Sequence, residues 1–251
     1  PHSRISDIYG PLAKKFIAGL TPKHYAQLPE LFLPLFGKGY AQSANRFLII
    51  GKEVKDYGEM SSFIKMAQEN PEDALFRSLS NFQDCAFTHW TNYSRRIFWD
   101  FNLKVLAAMH NVDWRELKEG KHRAVLESFA WGNSQSLEIF PISAKKQSGK
   151  QKAWQELTER SKPFDSLALL VAALKPKRVL ILNWAYPHRE IIKLDQNYHF
   201  EKRDLYLHRY YLPQHNLSLV KTAPPTFISR SKKLQFGEQA TEVAALLTQS
   251  P

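Results

Sequence analysis

Three short apolar runs constrain this chain more than any other feature: Arg46–Ile50 (RFLII), Arg178–Leu182 (RVLIL) and Leu217–Lys221 (LSLVK). None alternates apolar with polar residues, so none suits a strand with one wet face. Continuous runs of this length suit strands buried on both faces, as in a parallel sheet covered by helices. Each run stops at turn-forming residues: Gly51, Asn183 and Pro224. Ser128–Trp131 (SFAW) is a shorter fourth candidate, and Tyr206–Leu212 reads as an edge strand or an excursion.

Helical periodicity fills the intervals. In SLALLVAALK, Leu167, Leu170, Val171 and Leu174 recur at helical spacing, Asp165 is the expected cap, and Pro176 follows the end. Tyr93–Met109 brings Ile97, Phe98, Phe101, Val105, Leu106 and Met109 to one face. Pro71 opens another helix bearing Ala74, Leu75, Leu79 and Phe82, and Gly237–Thr248 reads as a terminal helix. Lys145–Lys152 has few apolar residues and reads as a loop. Helices and strands therefore alternate. The expected fold is an α/β, three-layer α/β/α arrangement with a central, mainly parallel sheet of about four strands, in a single domain over 1–251.

Charge bears on partners. Lys and Arg number 35 against 24 Asp and Glu, a formal charge of +11 over 251 residues. Such an excess favours a polyanion, because each phosphate neutralised releases a condensed counterion. No apolar run is long enough to span a bilayer, and no basic amphipathic helix is evident, so DNA is expected rather than a membrane. The single cysteine, Cys85, excludes an internal disulfide and fits a reducing compartment. The expectation is a monomer, cytoplasmic or nucleoid-associated.

In an open parallel sheet, ligands bind beyond the carboxyl ends of the strands. Those ends hold Gly51-Lys52-Glu53, Gly132-Asn133, Asn183-Trp184 and Thr222-Ala223-Pro224-Pro225-Thr226. No phosphate-cradling glycine loop occurs among them. No histidine pair has helical ligand spacing and no nucleophile-elbow pentapeptide appears, so neither a metal nor a cofactor is expected.

The stretch IIGKEVKDYG, running on from the first strand, resembles the first motif of the uracil-DNA glycosylase superfamily, in the branch that reads close to GQETNGWG. Gly51, Glu53, Tyr57 and Gly58 fall in step with it. Ala223-Pro224-Pro225-Thr226-Phe227 occupies the place of the second motif, HPSP in its common form. WGNS at Trp131–Ser134 is similar to the segment carrying the base-reading asparagine. The resemblance runs in order from about Arg46 to Arg230.

The resemblance implies cleavage of an N-glycosidic bond in a nucleotide flipped from the stack. Glu53 is then the carboxylate that places water and stabilises the cationic sugar, where the family more often has Asp. Asn133 is the base reader, since an amide offers both a donor and an acceptor. Gly51, Lys52, Tyr57, Trp131, Asn183, Thr222, Ala223 and Pro224 would line the pocket. Pro225, Thr226 and Phe227 would meet DNA, with Phe227 as an apolar wedge. Arg230, Lys232 and Lys233 would hold flanking phosphates, and Ser143, Lys145 and Lys146 would form a second backbone contact.

Two departures are visible: Ala223 replaces the second-motif histidine, and Lys52 replaces the first-motif Gln. They imply either a pocket enlarged for a damaged or modified pyrimidine, a use this superfamily makes in attacks on foreign DNA, or a DNA-binding relative without catalysis. A nucleotide or nucleoside hydrolase is the remaining alternative.

Overall fold

The computed structural model describes residues 2–18, 34–52, 96–135, 148–231 and 235–249. Its strands are β1 (Leu35–Phe36), β2 (Phe47–Gly51), β3 (Phe129–Asn133), β4 (Arg178–Ile181), β5 (His199–Lys202), β6 (Leu207–Leu212) and β7 (Leu217–Thr222). Its α-helices are α1 (His2–Ala18), α2 (Arg96–His110), α3 (Trp114–Lys118), α4 (Arg123–Leu126), α5 (Ser148–Ser161), α6 (Leu167–Leu174), α7 (His188–Ile192), α8 (Pro225–Arg230) and α9 (Phe236–Thr248). The helix expected from Pro71 lies outside the described residues.

The α/β class holds, but the sheet is larger and more mixed than about four strands. Among the described residues seven strands lie in the order β1-β3-β2-β4-β7-β6-β5. β2, β4 and β7 pair in parallel, while β1 pairs antiparallel with β3, and β6 antiparallel with both β7 and β5. The four strands expected from the sequence thus run second-first-third-fourth across the sheet, the order of a doubly wound fold with its switch point between β2 and β4. Register keeps the carboxyl ends of β2, β4 and β7 level: Ile50 faces Ile181, and Ile181 faces Lys221. The Leu182 amide prolongs the β2–β4 ladder by donating to the Ile50 carbonyl at 2.8 Å.

The chain divides into two compact units. The larger comprises residues 35–51, 81–131 and 175–251, and holds nearly all of the sheet. Every residue of β2 and β7 is buried, as continuous apolar runs require. In this unit α9 packs on α2, with Phe101 and Phe236 edge to face at 5.3 Å, and also lies against β7 and β4. On α2, Phe101, Val105 and Leu106 are buried as expected, but Ile97 is exposed and Trp99 and Leu103 take core positions. Trp99 stands edge to face with Trp131 at 5.1 Å and tilted against Phe129. Gly37 is required at the β1–β3 border, because a Cβ there would sit 2.1 Å from the Glu127 backbone oxygen.

The smaller unit comprises residues 1–34, 52–80 and 132–174. Here α1 packs on α6, and Tyr9 and Phe16 of α1 close around Phe164 at 6.2 and 5.8 Å. The cap of α6 differs from expectation. Asp165 ends a 3-10 turn over Lys162–Asp165, and the Ser166 hydroxyl accepts from the Leu169 amide at 3.4 Å. Because the 3-10 turn takes up the residues to Asp165, the capping position falls on Ser166. The loop read over Lys145–Lys152 also ends early, because α5 begins at Ser148.

Candidate functional site

In the smaller unit, β3 runs on past Trp131, so Asn133 closes a strand rather than sitting in the following loop. Asn133 is 4% exposed, and neither its Oδ1 nor its Nδ2 has a hydrogen-bond partner. An amide with both ends orphaned costs folding free energy, about 1–3 kcal/mol for each unsatisfied group. Such a group in a native fold calls for a ligand or an ordered water. The next residue, Ser134, donates its hydroxyl to the Lys52 carbonyl at 3.0 Å. That bond joins the WGNS segment to the residue preceding Glu53. Glu53, Tyr57, Gly58, Ser143, Lys145, Lys146, Lys232 and Lys233 lie outside the described residues.

The larger unit carries the ends of β2, β4 and β7. Gly51 is buried at the end of β2. After β4, the Asn183 side chain folds back onto its own loop, its Oδ1 accepting from the Ala185 amide at 3.1 Å while its carbonyl takes the Tyr186 amide at 3.0 Å. This Asx turn commits the acceptor end of Asn183 to shaping the loop. The Thr222 hydroxyl closing β7 is fully buried without a partner. Ala223 is buried, Pro224 half-buried, and Pro225 buried at the start of α8. Thr226, Phe227 and Arg230 face solvent while Ile228 anchors α8. Trp131 is buried against Trp99 and Phe98.

A charged group was missed at the sequence level. Lys221 is 6% exposed, and its Nζ donates to the Tyr186 carbonyl at 2.6 Å beneath the Trp184 ring, 4.8 Å from the centroid. Burial holds the ammonium below the usual lysine range. His208 faces Lys221 across the β6–β7 ladder and contacts Trp184 at 4.6 Å. Burial, and then the charges of Lys221 and Lys202, push its imidazole below the ordinary histidine value, with Asp204 opposing. His208 Nε2 is buried and unpartnered. The signal for Lys221 was present in LSLVK, a lysine ending a run that is otherwise buried on both faces. His208 carried no such signal, because it reaches this place only through antiparallel pairing.

Aromatic rings continue outward from this pair. Trp184 meets Tyr206 at 5.8 Å, and Tyr206 meets Phe227 at 4.9 Å. The Phe227 ring remains 43% exposed. Among the described residues, no group of three or more His, Cys, Asp or Glu side chains is placed to hold a metal, and no helix is long and apolar enough to cross a membrane.

Comparison with protein-family models and with curated proteins finds no match to this chain. The chemistry at the strand ends therefore stands on its own residues.

Proposed function

We propose that this chain is a monofunctional DNA glycosylase, hydrolysing the N-glycosidic bond of a flipped uracil-like, damaged or modified pyrimidine and leaving an abasic site. The observation that carries this reading is the Asn133 amide, buried with donor and acceptor both unpartnered at a strand end. A pyrimidine presents a donor and an acceptor on one edge, so it satisfies both ends of the amide at once. The second-first-third-fourth strand order supports the reading, since sheets of this order take ligands beyond the carboxyl ends flanking the switch point. So does the Ser134–Lys52 bond, which draws the asparagine segment to the first motif. The +11 charge and the exposed Phe227 suit a DNA duplex.

In this scheme Glu53 places and deprotonates the attacking water, and Asn133 grips the base as negative charge collects on it. Lys221 keeps a positive charge near the end of β7, where Ala223 offers none. The protein acts as a monomer on DNA, in the cytoplasm or nucleoid.

The second reading, a DNA-binding relative without catalysis, is favoured by Ala223 at the place of the family histidine. Incubation with duplexes containing uracil, damaged and modified pyrimidines, with mass spectrometry of the released base, decides between them. Release abolished by Glu53→Gln with binding retained supports the glycosylase. Binding to every duplex with no release from any supports the inactive relative. Tight binding of a free nucleotide without duplex affinity would instead indicate a nucleotide hydrolase.

A further inference from the structure

The turn between β5 and β6 belongs to none of the motifs above, yet it carries the most exposed large apolar side chain among the described residues. Leu205 is 61% exposed. A lone surface leucine is unremarkable, but this one sits on a tightly bonded turn. The Arg203 and Asp204 amides both donate to the Leu207 carbonyl, at 3.0 and 3.3 Å, and the Asp204 side chain accepts from the Tyr206 amide. Four residues are thereby locked with Leu205 at the tip. Beside it, the Tyr206 ring rests on Phe227 at 4.9 Å, so the apolar surface continues from the turn to α8. Lys202 and Arg203 lead into the turn, and Arg230 ends α8, all three side chains being exposed.

We propose that the β5–β6 turn is a second duplex-inserting element, with Leu205 entering the base stack beside Phe227 while Lys202 and Arg230 hold the adjoining phosphates. This inference rests on the DNA reading above. Its physical basis is the juxtaposition of a rigid apolar tip with the exposed cations Lys202 and Arg230. An apolar wedge recovers the free energy lost on unstacking only when neighbouring cations keep the backbone in place. Of the nearby acidic groups, Glu201 pairs with Arg203 at 2.9 Å and Asp204 is spent on its own turn, which leaves Lys202 and Arg230 to meet phosphate. Two wedges also imply a preference for duplex over single strands, since only a duplex offers a stack to enter.

The test uses the full chain and a duplex holding 2-aminopurine beside a tetrahydrofuran abasic analogue, a probe that requires no base recognition. The unsubstituted protein should raise 2-aminopurine fluorescence several-fold. Leu205→Ala should at least halve that rise and weaken duplex binding about tenfold, the scale of one lost aliphatic burial, with single-strand binding unchanged. Leu205→Met should restore the signal. An undiminished signal in Leu205→Ala overturns the proposal, and so does an equal loss on single strands, which would mark a general contact. If no duplex is bound, this inference and the glycosylase reading fall together. If the wedge signal stands but no base leaves any substrate, the inference survives and only the glycosylase reading falls.

Discussion

The two halves of the sheet are built on opposite terms. In β2, β4 and β7 nearly every residue is buried, and polar atoms are left without partners at the ends: Thr222 has an orphaned hydroxyl and Lys221 a single carbonyl to hold. In β5 and β6 most side chains reach solvent and bond to one another. Glu201 pairs with Arg203 at 2.9 Å and Arg209 at 3.8 Å, and the Tyr210 hydroxyl meets His188 Nδ1 at 2.9 Å. Burial, and then the nearby Tyr198 phenol, push the Tyr210 phenol up to about 12. The difference teaches where each half spends free energy. The parallel half has hydrophobic burial to spare and leaves polar groups unsatisfied at its carboxyl ends. The antiparallel half pairs most of its charged groups, His208 Nε2 excepted, and leaves apolar rings outside.

The most severe test of that contrast is Asn133→Leu. Under the proposed glycosylase activity, removing the orphaned amide should lower base release about 10²–10³-fold, the scale of losing a donor at a site of developing charge, while the melting temperature holds or rises. A large fall in melting temperature would mean that Asn133 serves the fold.

Core truncation separates the halves next. Leu180→Ala in β4 should cost about 2–5 kcal/mol in denaturant unfolding. Phe200→Ala in β5, which starts 45% exposed, should cost about 1 kcal/mol or less. Equal costs would erase the distinction.

Titration sharpens it further. His208 titrates below the ordinary 6.5, so the unfolded chain takes up a proton at a pH where the folded chain does not. Stability is therefore intact above that value and falls as pH drops through the window beneath it. His208→Gln should flatten part of the fall seen in melting curves between pH 7 and pH 5. Lys221 is likewise depressed, here from 10.5, so its penalty is complete at neutral pH and eases as pH climbs towards the unfolded value. Lys221→Met should remove that alkaline rise.

The smallest effect concerns the exit from α6, where Lys175 adopts a left-handed φ of 46°. Lys175→Gly should stabilise the chain by about 1 kcal/mol, since glycine bears no steric cost there.

What the sequence disclosed follows the same division. RFLII, RVLIL and LSLVK became β2, β4 and β7 because a strand buried on both faces can hardly be written otherwise. HFEK became β5 although its burial is almost nil, and no apolar pattern marks such a strand. Tyr206–Leu212 read as an edge strand or an excursion because β5 was hidden; β6 is a strand flanked on both sides. At the site, Asn133 and Thr222 were legible from their positions after apolar runs. That their polar atoms are orphaned was not, because a missing partner is a property of three-dimensional surroundings. The Leu205 turn was invisible for the same reason, its significance depending on Tyr206 lying against Phe227.

The borders of the sheet carry a consequence for the behaviour of concentrated solutions. An open sheet invites a second copy to add its own strand along a bare edge, the route by which native proteins seed fibres. Among the described residues the outermost strand on one side, β1, is two residues long, too short to template a ladder. On the other, β5 presents Glu201 and Lys202, and an incoming copy of the same strand would have to desolvate both. Stacking by edge-to-edge growth is thus discouraged at each end by a different device, and replacing Glu201 and Lys202 with valine should bring on fibre formation long before it disturbs the fold.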